Sequence, residues 1–128
     1  MNKDKLYIFD TTLRDGAQTQ GVDFSIDDKQ KISEALDSLG VDYIEGGWPG
    51  ANPTDTEFFN KDHNFKNAKL TAFGMTKKSE HSANNDPMLS SLINSKSSSI
   101  CLFGKSWDFQ VDIALGITNE QNLENISE

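Results

Sequence analysis

The chain predicts an α/β fold on a parallel sheet, and three observations support that prediction. Four short apolar, β-rich runs recur along its 128 residues: Leu6–Phe9, Val41–Ile44, Leu70–Phe73 and Ile100–Phe103. Their starts lie 35, 29 and 30 residues apart and a helix-like segment follows each, which is the rhythm of βαβ units. The first run breaks abruptly into a polar loop, Asp10-Thr11-Thr12-Leu13-Arg14-Asp15-Gly16-Ala17-Gln18, and ligands of α/β proteins gather where strands end in loops. Two architectures suit this rhythm. An open doubly wound sheet is complete with about five strands, whereas a (β/α)8 barrel needs eight strands and typically ~250 residues. No G-x-G-x-x-G or G-x-x-x-x-G-K-[ST] follows the first run, which counts against nucleotide binding.

Each element has its own signals. The run Leu6–Phe9 reads as a buried strand. Ser25 with Asp28 forms a capping-box pattern, Ile32, Ala35, Leu36 and Leu39 recur on one helical face, and Gly40 supplies the stop. Asn52-Pro53 and Asp86-Pro87 each pair an N-cap residue with proline at the first helical position. Met88, Leu89, Leu92 and Ile93 give the third helix an apolar face. Residues 76–86 form the clearest loop, and Ser95–Ser99 is a polar link. Trp107, Val111 and Leu115 point to a short helical turn. Thr118 with Gln121 starts a last helix with Leu123 and Ile126 as its apolar positions, and no stop signal follows before Glu128.

Composition narrows the function classes. Hydrophobic residues make up 35% and charged residues 25%, the balance of a soluble, folded domain. The net charge of −8 lacks the basic stripe a nucleic-acid surface needs. Apolar runs reach only about four residues against the ~20 of a membrane span, and the N-terminus does not read as a signal peptide. The single cysteine, Cys101, has no internal partner, which fits a reducing cytosol. Its apolar surroundings favour a small buried residue over a nucleophile.

The polar loop and the strand ends carry the candidate chemistry. Asp15 can ligate a hard dication through oxygen or can simply cap a turn. Arg14 can stabilise an oxyanion or form a surface ion pair of little worth. Gln18, which both donates and accepts, can orient a substrate or lie in solvent. Glu45, ending the second strand, can hold Arg14 in place. By alternation Phe73 and Met75 share a face of the third strand, as pocket wall or ordinary core. Gly46, Gly47 and Gly50 suit a tight turn better than a phosphate cradle.

The segment Asp10–Gln18 resembles the opening motif of a metal-dependent acyltransferase and lyase family, which includes isopropylmalate, homocitrate and citramalate synthases and hydroxymethylglutaryl-CoA lyase. Glu45-Gly46-Gly47-Trp48-Pro49-Gly50-Ala51-Asn52-Pro53-Thr54-Asp55 resembles its long-form citramalate synthase branch. Leu70–Thr76 and Gly104–Phe109 agree with that branch. The resemblance implies a partial (β/α)8 TIM barrel, about the first four βα units, with residues 1–128 the N-terminal part of a catalytic domain whose other half and regulatory domain are absent. It implies a cytoplasmic enzyme of isoleucine biosynthesis that condenses acetyl-CoA with pyruvate to give (R)-citramalate, with a 2-isopropylmalate synthase or a non-catalytic remnant as alternatives. It assigns catalysis to Arg14 and Glu45, substrate binding to Arg14, Gln18 and Phe73, and a divalent metal ion (Mg, Mn or Zn) to Asp15. Pyruvate and acetyl-CoA would be the partners, with no nucleic acid or membrane, and the full-length protein would be a homodimer. The family's His-x-His metal pair has no counterpart here. The only histidines, His63 and His81, lie eighteen positions apart and are expected to face solvent, so the chain alone is expected to be inactive.

Overall fold

The structure, a computed structural model, describes residues 4–128. Four strands, β1 (Phe9–Asp10), β2 (Tyr43–Gly47), β3 (Lys69–Met75) and β4 (Ser99–Phe103), form one sheet in the order β1-β2-β3-β4, every neighbouring pair parallel. The order never reverses. A doubly wound sheet reverses at its switch point, so this single direction of winding is that of a barrel opened along one side.

The helices begin where their caps dictate. In α1 (Ile26–Leu39) the Ser25 Oγ accepts from Asp28 N at 3.1 Å while Asp28 accepts from Ser25 N at 3.0 Å, and Gly40 ends the helix at φ +89°. Asn52 and Asp86 cap α2 (Pro53–Asn60) and α3 (Pro87–Ile93). After β4, a turn of helix, α4 (Asp108–Gln110), widens into a π-helical turn at Val111–Leu115. Then α5 (Asn119–Ser127) starts at the Thr118–Gln121 capping box.

The core lies between the sheet and its helices. Ile44, Leu70 and Ala72 from the strands meet Phe58, Phe59 and Leu92 from α2 and α3, with Leu13 and Val41. The opposite face carries Tyr43, Glu45, Thr71, Phe73, Cys101 and Phe103, because registered partners in parallel strands share a face and side chains alternate.

Several expectations from sequence need correction. The first run is not buried: Leu6, Tyr7, Ile8 and Phe9 are all exposed, and only Phe9–Asp10 join the ladder. Among the described residues β1 is an edge strand, paired only with β2. Strand β2 begins two residues later than expected and runs on through Glu45-Gly46-Gly47. Leu39 and Ile93 point outward, at 78% and 73% exposure. The buried stripe of α1 is instead Lys29, Ser33 and Asp37, flanked by half-buried Ile32 and Leu36. In α5, Asn122 and Asn125 face inward while Leu123 and Ile126 are exposed. His63 does not face solvent: its ring packs on Phe58 at 4.6 Å and its Nε2 lies 2.9 Å from the Phe58 carbonyl oxygen. His81 is likewise half-buried.

Asp37 secures the end of the sheet remote from the β1 loop. Its carboxylate accepts the N–H groups of Lys66, Asn67 and Ala68 at 2.8–3.0 Å. Burial pushes its carboxyl upward, but the three donors outweigh burial and hold it below the usual carboxylate range. A folded-state pKa below the unfolded one contributes stability that is present above the unfolded value, about 3.9, and is lost as pH falls through the folded value. Asp37→Asn is therefore expected to destabilise the fold at neutral pH and to flatten its acid sensitivity below about pH 4. Denaturant melts from pH 7 to pH 2.5 measure this, and an unchanged acid limb would count against it.

Candidate active site

The site sits at the carboxyl ends of β1, β2 and β3. Asp10 caps the turn that leaves β1, accepting from Thr12 N at 3.0 Å and from Thr12 Oγ1 at 3.1 Å. The Thr11 carbonyl then accepts from the N–H groups of Arg14 (3.1 Å) and Asp15 (2.8 Å), and a 3-10 turn follows at Gly16–Gln18. Leu13, fully buried, anchors this loop in the core, and its neighbour Arg14 lies over the opposite face of the sheet.

Arg14 meets three groups there. Its Nε donates to Glu45 Oε2, its Nη1 pairs with Asp15 Oδ1 at 2.8 Å, and its guanidinium carbon stands 4.1 Å from the centre of the Phe73 ring. Glu45 is 1% exposed. A carboxylate so buried is costly without a partner, and the guanidinium supplies a charge-assisted hydrogen bond. The flat cation also stacks on an aromatic face, which an ammonium does less well.

Glu45 reaches Arg14 because β2 bulges beside it. Glu45 pairs with Thr71 and Gly47 with Ala72, so Gly46 is the extra residue. Bulges re-aim side chains and are over-represented next to active sites. No side chain fits at Gly46, where a Cβ would stand 2.8 Å from Phe58 and 3.0 Å from Leu70 and Phe59. Gly47 adopts φ +135°, and a Cβ there would stand 2.5 Å from the Asp55 carboxyl carbon.

The arrangement opens on a cavity of about 370 Å³ lined by Arg14, Gln18, Trp48, Phe73, Phe103 and Lys105, among others. Of the residues expected from sequence, Arg14, Glu45 and Phe73 come into direct contact around the guanidinium, and Gln18, exposed at the end of the 3-10 turn, lines the cavity. Asp15 stands beside Arg14 with its side chain about half exposed. Among the described residues no three His, Cys, Asp or Glu side chains converge as a metal site. Asp15 can offer one oxygen ligand, so the donor set present in this chain does not by itself fit a divalent ion.

Three parts of the site were not legible. Lys105 and Trp48 line the cavity; Trp48, near a strand end, reads from sequence as a packing residue, and nothing in the sequence singles out Lys105. Cys101 shares the face of Phe73, a placement that alternation from Phe103 could have found. Its thiol is pushed upward by burial, then by the charge of Glu45 and a hydrogen bond to it, with Arg14 opposing. The thiol is thus protonated at neutral pH and a poor nucleophile. Glu45→Gln removes the upward electrostatic push and is expected to speed alkylation of Cys101 by iodoacetamide at pH 8. An equal or slower rate would contradict this placement.

The parallel sheet winds in one direction and carries an arginine–glutamate pair and a cavity at its carboxyl rim, the end where barrel folds gather their functional loops. By sequence, the chain belongs to the HMGL-like family, which matches residues 5–128. It is 54% identical to an (R)-citramalate synthase of Aquifex aeolicus over 98% of its own length and 24% of that protein. It is 44% identical to an (R)-citramalate synthase of Streptomyces coelicolor over 98% of the chain, again 24% of the relative. A 2-isopropylmalate synthase of Sulfurisphaera tokodaii is more distant, 33% identical over 100% of the chain and 32% of that protein. The chain thus spans about a quarter of the length of the citramalate synthases it matches. Among solved structures, hydroxymethylglutaryl-CoA lyase from Pseudomonas aeruginosa superposes with a TM-score of 0.71 at 18% identity, covering 95% of this chain and 40% of that one. That likeness supports the barrel reading of the fold.

Proposed function

We propose that this chain supplies the N-terminal βα units of a citramalate synthase-type acyltransferase. The reaction removes a proton from the acetyl methyl group of acetyl-CoA and joins that carbon to the ketone carbon of pyruvate. The ketone oxygen takes up the electron pair and is then protonated. Water hydrolyses the thioester, releasing CoA and (R)-citramalate, a product that feeds isoleucine synthesis. The observation that carries this reading is Arg14, locked by Glu45 and Phe73 at the strand ends and lining the cavity. Its guanidinium is the group placed to stabilise the oxyanion. Glu45 holds it through Nε, Gln18 orients the oxo acid by donating or accepting a hydrogen bond, and Phe73 walls the side of the small methyl group.

Asp15 is proposed as one oxygen ligand of a divalent ion whose other ligands lie outside this chain. Such an ion, when bound, would polarise the ketone. The complete protein is read as a cytoplasmic homodimer acting on pyruvate and acetyl-CoA. Among the described residues no helix is long and apolar enough to cross a membrane. The greater identity to citramalate synthases than to the isopropylmalate synthase supports pyruvate over a bulkier 2-oxo acid.

A chimera tests the reading: this chain replaces the matching N-terminal segment of the Aquifex aeolicus relative, and CoA release is followed with pyruvate and with 3-methyl-2-oxobutanoate. Pyruvate-dependent CoA release and citramalate formation are expected, while the 128-residue chain alone gives none. A chimera selective for the bulkier oxo acid would replace this reading with an isopropylmalate synthase. A folded but inactive chimera would favour a non-catalytic remnant.

A further inference from the structure

Lys29, the fourth residue of α1, is 3% exposed, where a lysine of an amphipathic helix would ordinarily face water. Its ammonium donates to three acceptors: the Leu13 carbonyl at 3.1 Å, the Gly46 carbonyl at 2.8 Å and Asp55 Oδ1. Asp55 in turn accepts from Trp48 N at 2.9 Å and from Asn52 Nδ2 at 2.9 Å, and itself sits in the first turn of α2. The peptide carbonyl of Leu13 leads directly into Arg14. The carbonyl of Gly46 belongs to the bulge that aims Glu45. One cation therefore ties the backbone carrying the arginine to the backbone carrying the glutamate, and one anion ties that cation to the turn after β2.

The geometry points to Lys29 and Asp55 as a positioning pair that holds Arg14 and Glu45 in register across the ends of β1 and β2. This rests on the proposed role of Arg14 and Glu45; Asp55 stands at the cavity wall, while Lys29 acts on the site through the backbone it holds. The pair is buried, so its charges are costly unless each is fully satisfied. β1 contributes only two residues to the ladder, so strand pairing alone holds the loop weakly. The three acceptors of the ammonium supply the missing constraint. Residues that orient a functional group through a second layer of hydrogen bonds commonly change activity by about 10–100-fold when removed.

The test reads Arg14 itself. In ¹⁵N–¹H spectra of the 128-residue chain, the Arg14 Nε–H bonded to Glu45 is expected as a slowly exchanging side-chain signal, assigned by its loss in Arg14→Lys. Lys29→Met removes the ammonium but leaves Asp55 two donors, and Asp55→Asn removes the charge with little change of shape. Either variant is expected to keep a dispersed amide spectrum while the Arg14 signal exchanges at least about tenfold faster. Asp37→Asn, which disturbs a comparable buried network at the remote end of the sheet, is expected to leave that signal unchanged. In the chimera, Lys29→Met should lower kcat by about tenfold or more, whereas Asp37→Asn should lower only thermal stability. A folded Lys29→Met or Asp55→Asn variant with Arg14 still protected overturns the positioning role. So does unfolding of both variants while Asp37→Asn folds, which would make the pair a determinant of the fold alone. Because the spectrum needs no turnover, loosened Arg14 with an inactive parent chimera would retire the proposed reaction and leave the positioning intact.

Discussion

Arg14→Ala in the chimera is expected to lower the turnover of pyruvate and acetyl-CoA by about 10²–10³-fold, the loss typical of deleting one oxyanion donor. The effect is large because two things fail together. On the proposed reaction, the charge that would offset the developing alkoxide disappears, and Glu45 is left as a carboxylate almost completely removed from water with its partner gone. Arg14→Lys keeps the charge but loses the planar fork that meets Glu45 and Asp15 from two nitrogens and stacks on Phe73, so it is not expected to restore the rate. CoA release at saturating pyruvate gives kcat, and thermal melting checks the fold. A change confined to KM would reassign Arg14 from stabilising the transition state to binding ground-state carboxylate.

The second large effect is on stability. Asp55→Ala strands a buried ammonium, removes the acceptor for Trp48 N and Asn52 Nδ2, and opens space beneath the Gly47 turn. Breaking one side of a buried pair costs about 3–5 kcal/mol, and whole domains are stable by only about 5–15 kcal/mol. The variant is therefore expected to unfold at far lower urea than its parent. Lys29→Met should cost less, because Asp55 keeps two donors and a helix N-terminus favours negative charge. Urea melts of the two variants give the comparison, and an Asp55→Ala midpoint at or above that of Lys29→Met would contradict this ordering.

Much of the frame was legible because it is written in local chemistry. Each of the caps, Ser25 with Asp28, Asn52 with Pro53, Asp86 with Pro87 and Thr118 with Gln121, starts its helix where the residue types predict. These signals depend on backbone groups within one turn, so nothing distant can overrule them. Burial was less legible. Periodicity placed Leu39 and Ile93 on apolar faces, yet both lie exposed. A stripe of residues says which way a helix can turn, and only its neighbours decide which side is covered. The same reason exposes Leu6 to Phe9, whose apolar run has β2 on one side and, among the described residues, no strand on the other.

The site divides in the same way. Residue types in the β1 loop and at the end of β2 were enough, by resemblance, to single out Arg14, Asp15, Gln18, Glu45 and Phe73, because a guanidinium, carboxylates and an amide at strand ends imply polar chemistry by their kind. No local pattern could reveal that Lys29, spaced like any surface lysine of a helix, sinks beneath the bulge to meet Asp55 on the next helix. The sequence by itself determined the βα rhythm, the helix starts and the chemical inventory, since these rest on interactions between near neighbours. Only the tertiary structure decided which of those groups meet, because bringing together positions 14, 29, 45 and 55 depends on how strands align and where a single extra residue bends one of them.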